Sequence, residues 1–167
     1  LPRQVQQRPA LRWLSVCADR QPKQIHRGWQ ITADQIIAAA RSALGVPFRH
    51  QGRTLAGLDC AGLVAHVCDT LGVDYIDREG YARRPSDGLI ESTLDEQPNL
   101  MRVTGKPQAG DVLLMRFTGE PQHLAIYAGP NIIHSYQTVG KVCEHILDAK
   151  WARRIVRVYR FKGLSHE

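Results

Sequence analysis

The chain has 167 residues, a formal net charge of +6, 43% hydrophobic and 23% charged residues, an ordinary composition for one globular domain with a real core. No run approaches the roughly 18 apolar residues of a membrane span. No basic segment carries the interleaved aromatics of a nucleic-acid-binding module, so neither a membrane span nor a nucleic-acid partner is expected. The positive balance suits an acidic partner such as an anionic cell-wall polymer or a subunit.

Residues 1–30 are polar and basic, with Arg3, Arg8, Arg12, Arg20, Lys23 and Arg27 spread through them. They read as an N-terminal extension, either a docking arm or a packed tail, since Trp13 and Trp29 favour burial. No secretory signal pattern opens the chain. It starts with Leu1 rather than Met, as a processed piece would, so export stays open. The domain proper is expected over residues 31–167.

Thr32-Ala33-Asp34-Gln35 fits a capping box, and Ile36, Ile37, Ala40 and Leu44 form an apolar stripe ending at Gly45. A helix over about 33–44 follows. Pro47, Gly52 and Gly57 make 45–59 a turn-rich loop. Asp59 is placed to cap a second helix, in which Leu63, Val64, Val67 and Leu71 recur at helical spacing up to Gly72. Ser86 to Glu96 suits a short helix with Leu89, Ile90 and Leu94 inward. Between them, Arg83 and Arg84 suit an acidic peptide, because guanidinium pairs with carboxylate in a bidentate manner; a solvated charged loop would look the same.

Pro107 to Asp111 is a turn, with Asp111 shaping it rather than doing chemistry. Strands are expected at about 112–117, 122–128, 131–137, 141–147 and 155–161. Residues 148–154 read as a single helical turn and 162–167 as a frayed tail. Helices packed on one face of a twisted antiparallel sheet of about five strands define an α+β fold.

Four cysteines occur, Cys17, Cys60, Cys68 and Cys143. They form no CxxC pair, so no structural zinc and no cofactor is expected. A set drawn from His66, Cys68, Cys143 and His145 is the remaining metal candidate, without recognised ligand spacing. A Cys17–Cys143 disulfide is undecided by sequence; unpaired thiols are the simpler expectation.

Cys60 stands out, at the first turn of its helix. Unpaired N–H groups and the helix dipole there favour thiolate, so a pKa below that of a free thiol is expected. A small core cysteine would fit the same position. Gln122 to Tyr127 alternates as a strand, and Ile132 to Tyr136 forms the next one after the Gly129-Pro130-Asn131 turn. That hairpin brings His123 and His134 onto neighbouring strands, where they can serve as base and orienting partner for Cys60. His145 is the rival third member.

Asp59-Cys60-Ala61-Gly62-Leu63-Val64, Gly110-Asp111-Val112-Leu113, His123-Leu124-Ala125-Ile126-Tyr127 and Ile133-His134, in that order, resemble the NlpC-type papain-like cysteine peptidases over about residues 31–161. The Pro47 to Gly52 loop is more similar to the branch found in phage tails and gene-transfer agents than to the secreted enzymes. The resemblance implies catalysis by Cys60, His123 and His134. It implies hydrolysis of peptidoglycan stem peptides, typically between D-glutamate and a diamino acid, at a virion tail tip or in the bacterial cell envelope. Phe48 stands where relatives usually carry a tyrosine whose hydroxyl faces the cysteine. Backbone N–H groups near Cys60, helped by His50 or Gln51, are then expected to hold the oxyanion. Phe48 and the basic arm also motivate an alternative, a structural tail-tip component with a weak or vestigial site. Phe48, His50, Arg83 and Arg84 complete the expected substrate-binding set.

Overall fold

The computed structural model describes residues 30–165. The N-terminal extension, with Trp13, Cys17 and Trp29, lies outside the described residues. The first helix, α1 (Ala33–Arg41), starts on the expected capping box: the Thr32 side chain accepts from Gln35 N–H, and the Gln35 side chain accepts from Thr32 N–H. It ends earlier than the apolar stripe suggests. Turns carry the chain from Ser42 to Gly45, Leu44 is 43% exposed, and Ala43 takes the buried place. Local turn geometry overrides a weak helical pattern here.

The next helix, α2 (Cys60–Leu71), matches its sequence signals at both ends. Asp59 caps it by accepting from Gly62 N–H, and Gly72 ends it in the left-handed conformation at φ 65°. A shorter α3 (Leu89–Asp95) buries Leu94, and α4 (Ala149–Ala152) is one turn capped by Asp148.

The main sheet has six strands rather than five. In chain order these are β4 (Leu100–Val103), β5 (Val112–Arg116), β6 (Pro121–Tyr127), β7 (Asn131–Tyr136), β8 (Lys141–Ile146) and β9 (Ile155–Phe161). Short pairs supply β1 (Ile31–Thr32), β2 (Arg53–Thr54), β3 (Gly57–Leu58) and β10 (Leu164–Ser165). Spatial order in the sheet is β4-β9-β5-β6-β7-β8, every pairing antiparallel. The extra strand, β4, lies at an edge and exposes Met101 and Arg102, so it lacks the apolar run that marks its neighbours. The expected frayed tail is also corrected: Leu164 and Ser165 pair in parallel with Ile31 and Thr32. A two-residue pairing with a distant partner leaves no local pattern in the sequence.

Alternation along the strands divides the interior into two parts. Val112, Leu114, Leu124, Ile126 and Ile133 pack with Ile36, Ala40, Leu63 and Val67 of the helices. Leu113, Met115, Ala125, Ile132 and Val158 form the other cluster, covered by Trp151 and Leu147. Asp111 shapes its turn as expected, accepting from Gln108 N–H at 2.8 Å. It is fully buried and is also gripped by Arg160 through two bonds of 2.8 Å, which ties β5 to β9.

The helix α2 presses directly on the loop before it. A Cβ added at Gly62 would sit 2.0 Å from the carbonyl oxygen of Gly52. Backbone cannot yield as a flexible side chain can. Gly62→Ala is therefore expected to destabilise the domain by about 1–3 kcal/mol, measured as a lower urea midpoint, whereas Ala61→Gly, at a site without this contact, should cost no more than about 1 kcal/mol.

Candidate active site

The loop 45–59 is held in place from both sides. Gly45 N–H and Phe48 N–H donate to Val142 O and Gly140 O, and Val142 N–H donates back to Val46 O, zipping the loop along the start of β8. The Ser135 hydroxyl, next to His134, donates to Leu58 O at 2.6 Å. The strand carrying His134 is thereby fastened two residues before Cys60.

Asp59 gathers the other side. Its carboxylate accepts from Gly62 N–H at 2.8 Å, Gln51 N–H at 2.7 Å, the Tyr81 hydroxyl at 2.6 Å and Arg53 Nη1 at 3.2 Å. Arg53 in turn reaches Asp77 Oδ1 at 2.9 Å and the Tyr81 hydroxyl oxygen at 3.0 Å. Gln51 adopts a left-handed φ of 59° at the head of this network.

Cys60, His123, Phe48, His50, Arg83 and Arg84 all line one cleft of about 1060 Å³. The structure thus brings five of the expected residues to the cleft that Cys60 lines. His134 stands behind His123, fully buried, with His123 Nε2 and His134 Nδ1 2.7 Å apart. His145 stands behind His134 in turn: their Nε2 atoms are 3.0 Å apart, and His145 Nδ1 is 2.9 Å from the carbonyl oxygen of Ile146. The rival third histidine is therefore the next member of one chain, and not a competitor for the same place.

Aromatic rings enclose this chain. Phe117 meets His123 edge-on at 5.1 Å, Tyr136 stacks on His134 at 5.2 Å, and Trp151 lies 5.1 Å from His134 and 4.7 Å from His145. The Arg154 guanidinium covers Phe117 at 4.5 Å. Burial, then His134, Arg154 and His145, hold the His123 imidazolium form well out of reach near neutrality. Burial and His145 push His134 down to about 3.

The thiol moves the opposite way from the sequence expectation. Burial, reinforced by the Asp59 carboxylate, pushes Cys60 up to about 12, although the N–H groups of Leu124, Ala61 and Cys60 itself counter this. Desolvation of an anion outweighs the helix-terminal dipole here. Both shifts favour the uncharged forms, a thiol and an imidazole.

His50 and Gln51 are drawn away from the expected oxyanion role. His50 Nε2 lies 3.1 Å from Tyr81 O, Gln51 Nε2 donates to Tyr81 O at 2.9 Å, and Gln51 Oε1 accepts from Gly80 N–H at 3.0 Å. Both brace the 80–81 segment. The metal candidate set is not assembled. His66 pairs with Ser42 at 3.0 Å, Cys68 is buried in the helix core beside Asn99, and His145 bonds His134. Among the described residues, no cluster of three or more His, Cys, Asp and Glu is arranged to hold a metal, and Cys60, Cys68 and Cys143 are free thiols.

Sequence reasoning missed Arg53, Asp77 and Tyr81 around Asp59, and Phe117, Tyr136 and Trp151 around the histidines. A chain-local signal existed only for Tyr136, which shares the His134 strand face.

Both buried histidines make stability sensitive to acid. Each folded ring titrates below its ordinary value of 6.5. Below that value the unfolded chain binds protons that the folded rings refuse. Their contribution is therefore complete above about pH 6.5 and is lost as pH falls below it, for His134 down to about 3. At pH 5 the loss from His134 should be roughly 2 kcal/mol. Urea melts at pH 7 and pH 5 measure it, and in His134→Asn the His134 part of the loss should disappear.

Comparison with known proteins gives consistent fold matches. The chain is 22% identical over 132 residues to the probable peptidoglycan endopeptidase LytE of Bacillus subtilis (strain 168), covering 78% of this chain and 35% of that protein. It thus spans about a third of that relative's length. Among solved structures, an NlpC/P60 family protein from Bacillus cereus ATCC 10987 superposes with a TM-score of 0.60 at 22% identity, over 80% of this chain and 41% of that one. The peptidoglycan hydrolase RipB of Mycobacterium tuberculosis gives 0.55 at 21% identity, over 77% of this chain and 63% of that one. At these identities the structural likeness is one of fold. The NlpC/P60 family model matches residues 45–160, a span that runs from the loop before Cys60 through both expected histidines to β9, and the chain belongs to the NlpC/P60 family.

Proposed function

We propose that this domain is a cysteine endopeptidase that hydrolyses an amide bond in peptidoglycan stem peptides, with Cys60 as nucleophile, His123 as base and His134 as the orienting partner. The observation that carries the reading is the shared cleft: Cys60 opens α2 on the same cavity as His123, whose other ring nitrogen is taken by His134 at 2.7 Å.

With Nε2 engaged by His134, Nδ1 is the ring nitrogen left to serve Cys60. The thiol proton passes to His123 Nδ1 as the sulfur attacks the carbonyl carbon. A neutral resting pair makes this transfer part of the attack rather than a prior step. The oxyanion is held by N–H groups of the first turn of α2, those of Cys60 and Ala61, which no helical carbonyl takes. His123 returns the proton to the leaving amine, and water, deprotonated by the same ring, releases the acyl group from the thioester.

The finer reading is cleavage between D-glutamate and a diamino acid, by a domain at a phage tail tip or in the bacterial envelope. It is supported by the motif resemblance and by the Pro47 to Gly52 loop. An acidic stem peptide also suits the exposed Arg83 and Arg84 at the cleft. Tail-tip proteins are then the partners, and a tail component in which Cys60 is vestigial is the competing reading.

Cys60→Ala is expected to abolish release of stem-peptide fragments from purified peptidoglycan while leaving the urea midpoint within about 1 kcal/mol of wild type. Unchanged digestion in this variant refutes the enzyme reading. Arg83→Ala and Arg84→Ala are each expected to raise KM for a soluble stem peptide by roughly fivefold with little change in kcat, the loss of about one exposed charge-assisted contact. Steady-state kinetics on peptides with the D-glutamate carboxylate free or amidated would show whether that carboxylate is what they grip.

A further inference from the structure

The histidine chain has a direction, and its far end sets it. His145 lies on β8 opposite Ile132, outside the expected catalytic set. Its Nδ1 is 2.9 Å from Ile146 O. A carbonyl oxygen only accepts, so His145 carries its hydrogen on Nδ1. In a neutral imidazole the other nitrogen is then an acceptor. His145 Nε2 therefore receives a hydrogen from His134 Nε2, 3.0 Å away. That leaves His134 Nδ1 as an acceptor, and His123 Nε2, at 2.7 Å, must donate to it. The lone pair that remains is on His123 Nδ1, the nitrogen left for Cys60.

We propose that His145 is a positioning residue for the reaction. By accepting from His134 Nε2 it holds His134, and through it His123, in the tautomer that leaves a basic nitrogen at the cleft. This rests on the reading of Cys60 and His123 as nucleophile and base. One backbone carbonyl thus sets three rings in series, which works only while all three are neutral. The aromatic walls of Phe117, Tyr136 and Trp151 favour that state at His123 and His134.

His145 itself is the half-buried member. An imidazolium at His145 presents N–H on both nitrogens. His134 must then accept at Nε2 and carry its hydrogen on Nδ1, His123 Nε2 must accept, and His123 Nδ1 holds a hydrogen. The base is switched off without any change in Cys60. His145 meets His134 from β7, shares its strand face with Cys143, and packs on Trp151, over whose ring Arg154 lies at 5.5 Å. Glu144 points to the opposite face and is held by Arg41 and Asn131, while Asp148 caps α4. No carboxylate pairs with His145 among the described residues.

The test compares wild type, His145→Leu and His145→Gln in the full chain. Ring-nitrogen chemical shifts of 15N-labelled histidine report each tautomer, and iodoacetamide reports Cys60 reactivity against pH. In wild type, His123 and His134 should both carry hydrogen on Nε2. In His145→Leu, His134 should lose that preference and Cys60 alkylation at pH 7 should fall on the order of tenfold to a hundredfold. The amide oxygen of His145→Gln can accept from His134, so both readouts should return to near wild type. Hydrogen on His134 Nδ1 in wild type, or tautomers and alkylation unchanged in His145→Leu, overturns the proposal. No readout uses peptidoglycan. An ordered tautomer chain in a protein that digests no wall would refute the proposed substrate and leave the role of His145 standing.

Discussion

The Asp59 carboxylate is the point on which the cleft depends. It is nearly fully buried, at 4% exposure, and each acceptor site it offers is used. A buried carboxylate without such partners would be prohibitively costly. With them, it joins three pieces of chain that share no local pattern: the start of α2, the loop at Gln51, and the distant segment at Tyr81. The cap that starts the helix is thus also the clasp that closes one wall of the cavity. Its charge has a further effect, since it raises the pKa of the thiol it precedes.

That effect belongs to a wider balance between burial and fields. The first turn of α2 offers the Cys60 sulfur its unpaired N–H groups, which favour thiolate. The protein surrounding the sulfur and the Asp59 charge favour thiol. An anion loses more from dehydration than a helix terminus returns. On the other side of the cleft, the same dehydration keeps the histidines neutral. Both effects act in the same sense, favouring the uncharged forms of Cys60 and His123.

The histidines reach that geometry by strand alternation. His123, Ala125 and Tyr127 share a face, as do Ile132 and His134, so both rings fall on the side with Leu113 and Met115. The register between β7 and β8 places Cys143 opposite His134 and His145 opposite Ile132. His145 thus meets His134 on the diagonal, within reach of long rings. Trp151, from the short α4, closes the cluster. None of these contacts is conservative in sequence distance, and each depends on the sheet being assembled.

Much of the fold was legible from the chain alone because its signals are local. The Thr32 and Asp59 caps, the Gly72 terminator and the five central strands are written in residues within a few positions of one another, where propensity and period act. The ordered motifs around Cys60, His123 and His134 were legible for the same reason. What the tertiary structure decided depends on contacts between distant residues: the edge strand β4, the β1–β10 pairing, the Tyr81 and Arg53 clasp on Asp59, the aromatic cage, and His145 behind His134. It also decided the ionisation of the site. A helix start predicts a stabilised thiolate from bond directions alone, but a pKa follows the whole surrounding volume, and only the folded chain removes the water from around the sulfur and the rings.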